Sequence, residues 1–537
     1  MKQHSAVSNQ HSAPGQPRSS LSASGADTFS DLPQRAQRTQ RKIRNKILRS
    51  VLLAVLLLCT AGVASAHVGS PDVYYDGYAG PYHLLVTIRP PTVVPGVAEI
   101  QIRSVSNDVT RIQILPLRMV GVAARLAPRP DTAERSSSDP QLFTGGLWLL
   151  VRGAWKVQVH VDGRHGKAEL AVPVTAVSTT SARMRRALGG LLAVLGIFLV
   201  AGLVAIIGAA NREADLAPGE HPGDSKKHRG RIGMVVMAVI IVVALVSGNG
   251  WWSAEAADNA RLLYRPPHVQ ASLQNGNLLS LQLEGPTAET RAPLRLDLPE
   301  RPRVDDLIPD HGHLMHLFLV RMPDMKSFWH LHPQQVDAGE FSQGLPDLPA
   351  GDYWIYADIV HQSGFSETQI GEIDLPAVSS SQPTADDAGV ANANADPKVS
   401  QLGDGYRMVW EQDAAPLKAL KAKEAMHFRF RIEDRNGKPA TDMENYMGMA
   451  GHTVFLSNDG KVFAHVHPAG SVSMAAAALA QGENPATTDA MAGMHHAPLS
   501  PEVSFPYGFP QPGDYHIFVQ IKRGGKVETG VFAARVL

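Results

Sequence analysis

Two short motifs carry the clearest metal-binding chemistry in this 537-residue chain, and both have the form His-x-His-Pro. They are His330-Leu-His332-Pro and His465-Val-His467-Pro. Residues two apart in a β-strand point to the same face, so the two imidazoles of each motif can reach one ion. The proline ends the hydrogen bonding of the strand just beyond them. A lone histidine about fourteen residues earlier, His316 or His452, could add a third ligand from a neighbouring strand.

The two motifs belong to a duplicated module. Each copy also has a short apolar run after the lone histidine and, further on, a Gly-Asp-Tyr turn, Gly351-Asp-Tyr353 or Gly513-Asp-Tyr515, that leads into another apolar strand. Strand alternation in the second copy predicts that Val462, Ala464 and Val466 face one way, while Phe463, His465 and His467 face the other. The same pattern predicts a shared face for Phe328, His330 and His332.

Methionines accompany the histidines in both copies. Met447 and Met449 precede His452, and a long insertion from 469 to 501 contains Met494-His495-His496. The first copy has the comparable run His311-Gly-His313-Leu-Met315-His316. Cys59 is the single cysteine and lies in an apolar N-terminal segment, so a thiolate site is excluded. Thioether with imidazole suits Cu(I), and copper is the predicted ion. The predicted ligands are His316, His330, His332, Met447, Met449, His452, His465, His467, Met494, His495 and His496.

The chain divides into segments of distinct composition. We interpret 1–50 as a disordered basic tail, 51–66 as a signal peptide or uncleaved anchor, and 67–178 as an extracytoplasmic β-sandwich. Uncharged apolar runs predict transmembrane helices at 187–210 and 232–252, joined by a basic loop, 211–231. The first copy spans 262–376, a Ser/Ala/Asp/Asn-rich linker 379–398, and the second copy 399–537. The predicted fold class is mainly β: three immunoglobulin-like sandwiches and two transmembrane helices.

Charge and targeting signals predict the location of the protein. Fifty basic residues balance fifty acidic ones, which does not favour nucleic acid as a partner. The export signal and the lysines and arginines of the 211–231 loop orient the helices with that loop in the cytoplasm. We therefore expect a protein of the bacterial inner membrane whose β domains lie in the periplasm.

The second copy resembles the YtkA-like domains of bacteria. The resemblance rests on Tyr446-Met-Gly-Met449-Ala-Gly-His452, Phe463-Ala-His465-Val-His467-Pro, Gly513-Asp-Tyr515 and Gly525-Lys-Val-Glu-Thr. It is best over 430–537 and weaker over 300–372. It implies an extracytoplasmic immunoglobulin-like module, related in fold to CopC-type copper-resistance domains and often associated with heavy-metal handling.

Three hypotheses follow from these features. The first is a membrane-anchored copper-binding protein that captures the metal for resistance or for delivery to an envelope cuproprotein or metal transporter. The second is an envelope scaffold or adhesion protein whose histidines are structural. The third is a metalloenzyme, for instance a copper oxidase built on His67. The sequence has no nucleophile elbow, paired carboxylates or His-Glu-x-x-His motif, which are the constellations that hydrolysis needs, and we expect no enzyme. The sequence leaves open whether the copies share an ion, its oxidation state and the partner.

Overall fold

The computed structural model describes residues 72–121, 127–182, 184–287, 302–379, 386–411, 419–485 and 499–537. The predicted tail, the signal segment with Cys59 and His67, and the Met494-His495-His496 group lie outside these residues. Within them, most of the regular structure is antiparallel sheet, and two long apolar helices interrupt it. The predicted mainly-β class is confirmed.

The first domain packs two antiparallel sheets around one core. Its alternating apolar residues meet between the sheets, including Leu84, Ile100, Ile114 and Val159. The sheet orders are β1-β2-β3-β7-β6 and β5-β4-β8-β9. The strands are β1 Val73–Ala79, β2 Tyr82–Arg89, β3 Gly96–Ser104, β4 Val109–Arg118, β5 Asp131–Thr132, β6 Glu134–Arg135, β7 Leu142–Leu149, β8 Gly153–Gly163 and β9 Gly166–Ala176. This is the sandwich that the sequence predicted for 67–178.

Two helices follow, α1 Arg186–Glu213 and α2 Asp224–Arg261, and both are long and apolar enough to cross a membrane. Gly208 of α1 lies against Met234 of α2 so closely that a side chain would clash there. The predicted loop 211–231 is shorter in the structure. Residues 224–231 form the first turns of α2 because lysine and arginine are good helix formers, so the polar segment continues the helix.

The first copy of the module is a second sandwich, with sheets β10-β11-β16-β15 and β12-β17-β13-β14-β19, in which β18 also pairs with β17. Leu281, Leu317, Trp329 and Ile355 meet in its core. Its strands are β10 Val269–Gln274, β11 Leu278–Leu283, β12 Leu307–Ile308, β13 His316–Arg321, β14 Phe328–Leu331, β15 Gln334–Asp337, β16 Glu340–Gly344, β17 Gly351–His361, β18 Ser366–Leu375 and β19 Ala388–Val390.

Strand β19 corrects the prediction of a linker from 379 to 398. Ala388–Val390 pair with β14, the strand that carries the first His-x-His motif. The Ser/Ala/Asp/Asn-rich composition indicated a loop, but the free edge of β14 offers backbone groups that this short segment satisfies. Tertiary pairing therefore overrides local composition here.

The second copy repeats the arrangement, with sheets β20-β21-β22-β26 and β23-β27-β24-β25, in which β28 pairs with β27. Phe428, Phe455, Phe505 and Ile517 meet in its core. Its elements are β20 Val399–Gln401, a 3₁₀ turn Gly403–Gly405, β21 Arg407–Glu411, β22 Met426–Glu433, β23 Met443–Glu444, β24 His452–Ser457, β25 Phe463–Val466, helix α3 Met474–Gln481, β26 Glu502–Tyr507, β27 Gly513–Arg523 and β28 Lys526–Val536.

Candidate metal centre

The two copies bury one sheet of each sandwich against the other. In β13 and β24 alternate residues face their own core, as Leu317 and Phe455 do, while the residues between them face the partner copy. This explains why every residue of β24 is buried, because both faces of its sheet are covered. The interface is an aromatic and aliphatic layer in which the ring of Phe328 stacks on Phe518 at 4.2 Å, and that of Phe463 on Tyr356 at 4.3 Å.

These two ring pairs reveal the symmetry of the interface. Phe328 and Phe463 are equivalent residues of the repeat, as are Tyr356 and Phe518, so each copy plays both roles. Beside this apolar layer each sheet carries a row of polar residues that faces the partner. The rows are His332, His316, Asp358 and Thr368 in the first copy, and His467, His452, Gln520 and Thr529 in the second.

The histidines of both rows meet in one buried cluster. It contains eight of the described histidines, and the ring centroids of neighbouring members lie 4.1 to 6.1 Å apart. The members are His311, His313, His316, His330 and His332 of the first copy with His452, His465 and His467 of the second.

The first group of possible ligands comes from one copy. One ring nitrogen from each of His316, His330 and His332 lies within 4.8 Å of the other two. His316 Nδ1 and His330 Nε2 are 2.9 Å apart and share a hydrogen bond. We call these three residues the first triad. Two nitrogens on one tetrahedral ion would be about 3.4 Å apart, given metal–nitrogen bonds of about 2.0–2.1 Å, so small side-chain shifts would fit the triad to an ion.

The second group is completed across the interface. His452 and His467 come from the second copy, whereas His311 comes from the first, and their ligand atoms again lie within 4.8 Å of one another. The ring centroid of His311 is 5.2 Å from that of His452 and 5.0 Å from that of His467. We call these residues the second triad. Neither copy alone contains it.

A tight turn carries His311 into the partner copy. Asp310 and His313 exchange two backbone hydrogen bonds of 2.8 and 3.0 Å, and the two residues between them, His311 and Gly312, both have positive φ, 52° and 85°. This is the geometry of a two-residue hairpin turn, in which glycine is favoured. The turn extends the His311 imidazole beyond the sheet edge.

His465 and His313 belong to neither triad but contact its members. His465 Nδ1 lies 3.4 Å from Asp358 Oδ2 of the first copy, and its ring is 4.5 Å from that of His467. His330 Nδ1 makes the equivalent contact to the second copy, 2.9 Å from Gln520 Oε1. The first histidine of each His-x-His motif thus contacts a side chain of the other copy. His313 stacks on His332 at 4.1 Å, with Asp386 3.5 Å from its Nε2.

Burial favours the neutral form of most imidazoles in the cluster by lowering their pKa. It lowers the pKa of His316, His330, His452 and His465 well below the usual range, and the neighbouring imidazoles add to the effect. Burial and neighbouring histidines also lower the pKa of His311 to about 4, against a hydrogen bond to the Met447 backbone. Neutral imidazole is the form that binds metals, so the ring nitrogens need not lose a proton at neutral pH.

The hydrogen bonds of three ring systems follow one pattern. Nδ1 of His332 faces Asp387 Oδ1 at 3.1 Å, Nδ1 of His467 faces the Val472 carbonyl oxygen at 3.1 Å, and Nδ1 of His465 faces Asp358. Within the described residues, Nε2 of all three is buried and has no hydrogen-bond partner. The same holds for Nε2 of His311 and for both nitrogens of His452.

The predicted methionine ligands lie at the equivalent turn of the second copy. Tyr446 and Met449 exchange backbone hydrogen bonds of 2.7 and 3.1 Å around Met447 and Gly448, which both have positive φ. Met447 therefore occupies the position that His311 occupies in the first copy. Met449 is buried, and Met447 is partly buried.

The cluster contains most of the predicted histidine ligands together with residues that were not predicted. His316 lies beside His330 and His332, and His452 beside His465 and His467, as the spacing within each copy predicted. Whether the two copies share a site was left open by the sequence. His311 and His313 belong to the histidine-rich run of the first copy but are not among the predicted ligands. Asp387, which contacts His332, lies inside the predicted linker. Its proximity to the His-x-His motif arises only in the folded chain, so no sequence pattern indicates it.

A family model described as a domain of unknown function, DUF8832, matches residues 272–370 and 400–537, which correspond to the two copies. These segments make up less than half of the chain. No curated protein matches. Solved structures with some similarity include a 1.5-MDa bacterial ice-binding adhesin, at 6% identity over 86% of this chain and 99% of that one, with a TM-score of 0.14. An ICAM-5 D1-D4 ectodomain fragment gives 7% identity over 85% and 77%, with a TM-score of 0.15.

Proposed function

We propose that the two copies of the module form a metal-binding unit that holds two ions, one at each triad, with copper as the preferred metal. The β domains would lie outside the cytoplasmic membrane, attached to it by α1 and α2. Capture of copper in the cell envelope, for resistance or for delivery to a partner, is the role that this unit would serve. The resemblance of the second copy to YtkA-like domains is consistent with such a role.

The observation that carries the proposal is the pairing pattern of the ring nitrogens. Metal-binding histidines almost always donate the second ring N–H to a carboxylate or a backbone carbonyl, which fixes the ring and its tautomer. His332, His465 and His467 have such a partner at Nδ1, and, among the described residues, Nε2 of each is buried without one. These rings are oriented as they would be around an ion.

A purely structural role for the cluster explains this pattern poorly. A buried polar nitrogen without a partner costs about 1–3 kcal/mol, and apolar side chains of similar size would avoid that cost. Among the described residues, five histidines of the cluster carry such nitrogens. Four of these five histidines belong to the triads, and an ion at each triad would bind a nitrogen of each of the four. This accounts for histidine at buried positions where an apolar side chain would otherwise be expected.

The chemistry of the donors favours copper, and Cu(I) in particular. Both triads offer three imidazoles, and neither includes a carboxylate or a thiolate. The energy of burying an ion rises with the square of its charge, as does the repulsion between two neighbouring ions, so monovalent ions fit neutral sites better than divalent ones. Imidazole suits copper, zinc, iron and nickel, and the thioethers of Met447 and Met449, which precede His452 in the sequence, would favour Cu(I) among them.

The proposal is tested by metal analysis of the full chain, purified in detergent and loaded with Cu(I). We expect about two equivalents for the unaltered protein. His332→Ala removes a ligand of the first triad, and His467→Ala removes one of the second, so each should retain about one. His516→Ala is the matched control, because His516 lies outside the cluster and pairs with Asn458. Failure of the unaltered protein to retain copper would leave the scaffold hypothesis as the better account.

A further inference from the structure

A cavity of about 200 Å³ adjoins the histidine cluster where the first domain meets both copies. Four members of the cluster, His313, His316, His465 and His467, form part of its wall. The lining also includes Val177, Thr179 and Tyr264, from the segments that lead into α1 and out of α2. The cavity therefore joins the ligands of both triads to the side of the domains that is nearest the membrane helices.

One carboxylate lies where the cavity meets the histidines. Asp358 of β17 is in register with His316 of β13 on one side and with Thr368 of β18 on the other. Its Oδ1 accepts a hydrogen bond from the Thr368 hydroxyl, and its Oδ2 is 3.4 Å from His465 Nδ1. The side chain keeps 23% of its surface exposed, whereas that of His465 keeps 5%. Asp358 is thus accessible from the cavity and also touches a buried member of the cluster.

The second copy shows which side chain is sufficient at the position of Asp358 when the residue only orients an imidazole. The equivalent residue of the second copy is Gln520, in register with His452 and Thr529. Gln520 is 2% exposed, and its amide oxygen holds Nδ1 of His330. A neutral amide is therefore sufficient to orient a histidine in this fold. The first copy, whose polar row lines the cavity, has the carboxylate of Asp358 at this position.

A second carboxylate lies on the same wall. Asp310 is buried, and its Oδ1 accepts a 2.8 Å hydrogen bond from the backbone N–H of Ala475 in the first turn of α3. The hydroxyls of Ser366 and Ser473, which also line the cavity, are 3.0 Å apart. The wall thus presents oxygen ligands, while the triads behind it present nitrogen. Oxygen donors bind soft ions weakly, so an ion held there would pass on to imidazole.

We propose that this cavity is the entry route for the metal cation and that Asp358 is a transient cation site on it. An arriving ion would exchange water for the Asp358 carboxylate and then exchange that oxygen for ring nitrogens of the cluster. No bond other than these metal–ligand bonds changes. The inference rests on the proposed function and adds to it the path and the first ligand. A carboxylate in a confined, low-dielectric opening raises the local cation concentration and the association rate, by factors of 10 to 10³ in known cases.

The test measures both rates of metal exchange on the full chain in detergent. Cu(I), supplied as its acetonitrile complex, is mixed rapidly with the metal-free protein, and loading is followed by protein fluorescence. Unloading is followed by the absorbance of a Cu(I) chelator in excess. In Asp358→Asn we expect loading and unloading to slow by a similar factor, about tenfold, with the Kd within about twofold and with a weaker dependence of loading on salt.

Controls separate entry from positioning. Asp374→Asn removes an exposed carboxylate from the same sheet and should leave both rates unchanged. Asp358→Gln introduces the residue of the second copy and should load as slowly as Asp358→Asn while preserving the fold. An unchanged loading rate, or a weaker Kd with faster release, would overturn the entry role and leave Asp358 as a positioning residue. No copper uptake by the unaltered protein would instead overturn the proposed function itself, and the entry route with it.

Discussion

Replacing His452 with leucine should stabilise the metal-free protein. His452 is 1% exposed, and neither of its ring nitrogens has a hydrogen-bond partner in the described residues. Leucine has a similar volume and no polar side-chain atoms. The substitution therefore removes a desolvation cost of about 1–3 kcal/mol that no hydrogen bond of the imidazole compensates. For a sandwich of this size, that corresponds to a rise in Tm of about 2–4 °C per kcal/mol.

The same substitution should destabilise the copper-loaded protein relative to its parent. Bound ligand stabilises the folded state by about 2.7 kcal/mol at 100 times the Kd, and His452→Leu loses this gain at the second triad. The stability order of the two proteins should therefore reverse between chelator and copper. Thermal unfolding of the full chain in detergent, with and without Cu(I), measures both differences.

Thr453→Val is the matched control for this experiment. Thr453 is the next residue on β24 and faces the opposite side, and its buried hydroxyl also has no partner among the residues that the structure covers. Its replacement should raise the Tm of the metal-free protein without reducing the gain from copper. If metal-free His452→Leu instead loses more than about 1 kcal/mol, the histidine supports the fold, and the reasoning from unpaired nitrogens is refuted.

Three further predictions concern the surroundings of the centre. Asp387→Ala should weaken copper binding at the first triad by about 10–100-fold, measured by chelator competition, and unchanged binding would contradict the orienting role. Phe463→Ala should cost about 3–5 kcal/mol of unfolding free energy and impair the second triad, since the aromatic layer holds the two copies together. Burial lowers the pKa of His361, but Asp306 and Glu367 raise it to about 9 overall. Stability from this group is complete below about pH 6.5 and should fall by on the order of 2–3 kcal/mol by pH 10, and His361→Asn should flatten that dependence.

The alternation of residues predicted which face of each strand carries the histidines. Val462, Ala464 and Val466 pack into the core of the second copy, and Phe463 faces the partner copy, as the period of two requires. Such inferences succeed because side-chain direction along a strand is a local property of the backbone. The strands of the first domain were predictable from the same alternation. The two apolar helices were predictable because each is a long uncharged apolar run in the sequence.

The pairing between the copies was not predictable from local pattern. His311 reaches His452 over a large separation in the sequence, and its position depends on how two folded domains dock. Asp387 acts on His332 only because β19 fills the free edge of β14. Docking geometry and edge pairing are long-range properties, so the sequence motifs could locate the ligands of each copy but not their assembly into one cluster.

Copper-edge anomalous scattering from crystals of the Cu(I)-loaded full chain tests the central proposal most directly. We predict two anomalous peaks inside the interface between the copies, one among His316, His330 and His332 and the other among His311, His452 and His467. Loaded crystals without a peak at either triad, or with copper bound only at the protein surface, would contradict it.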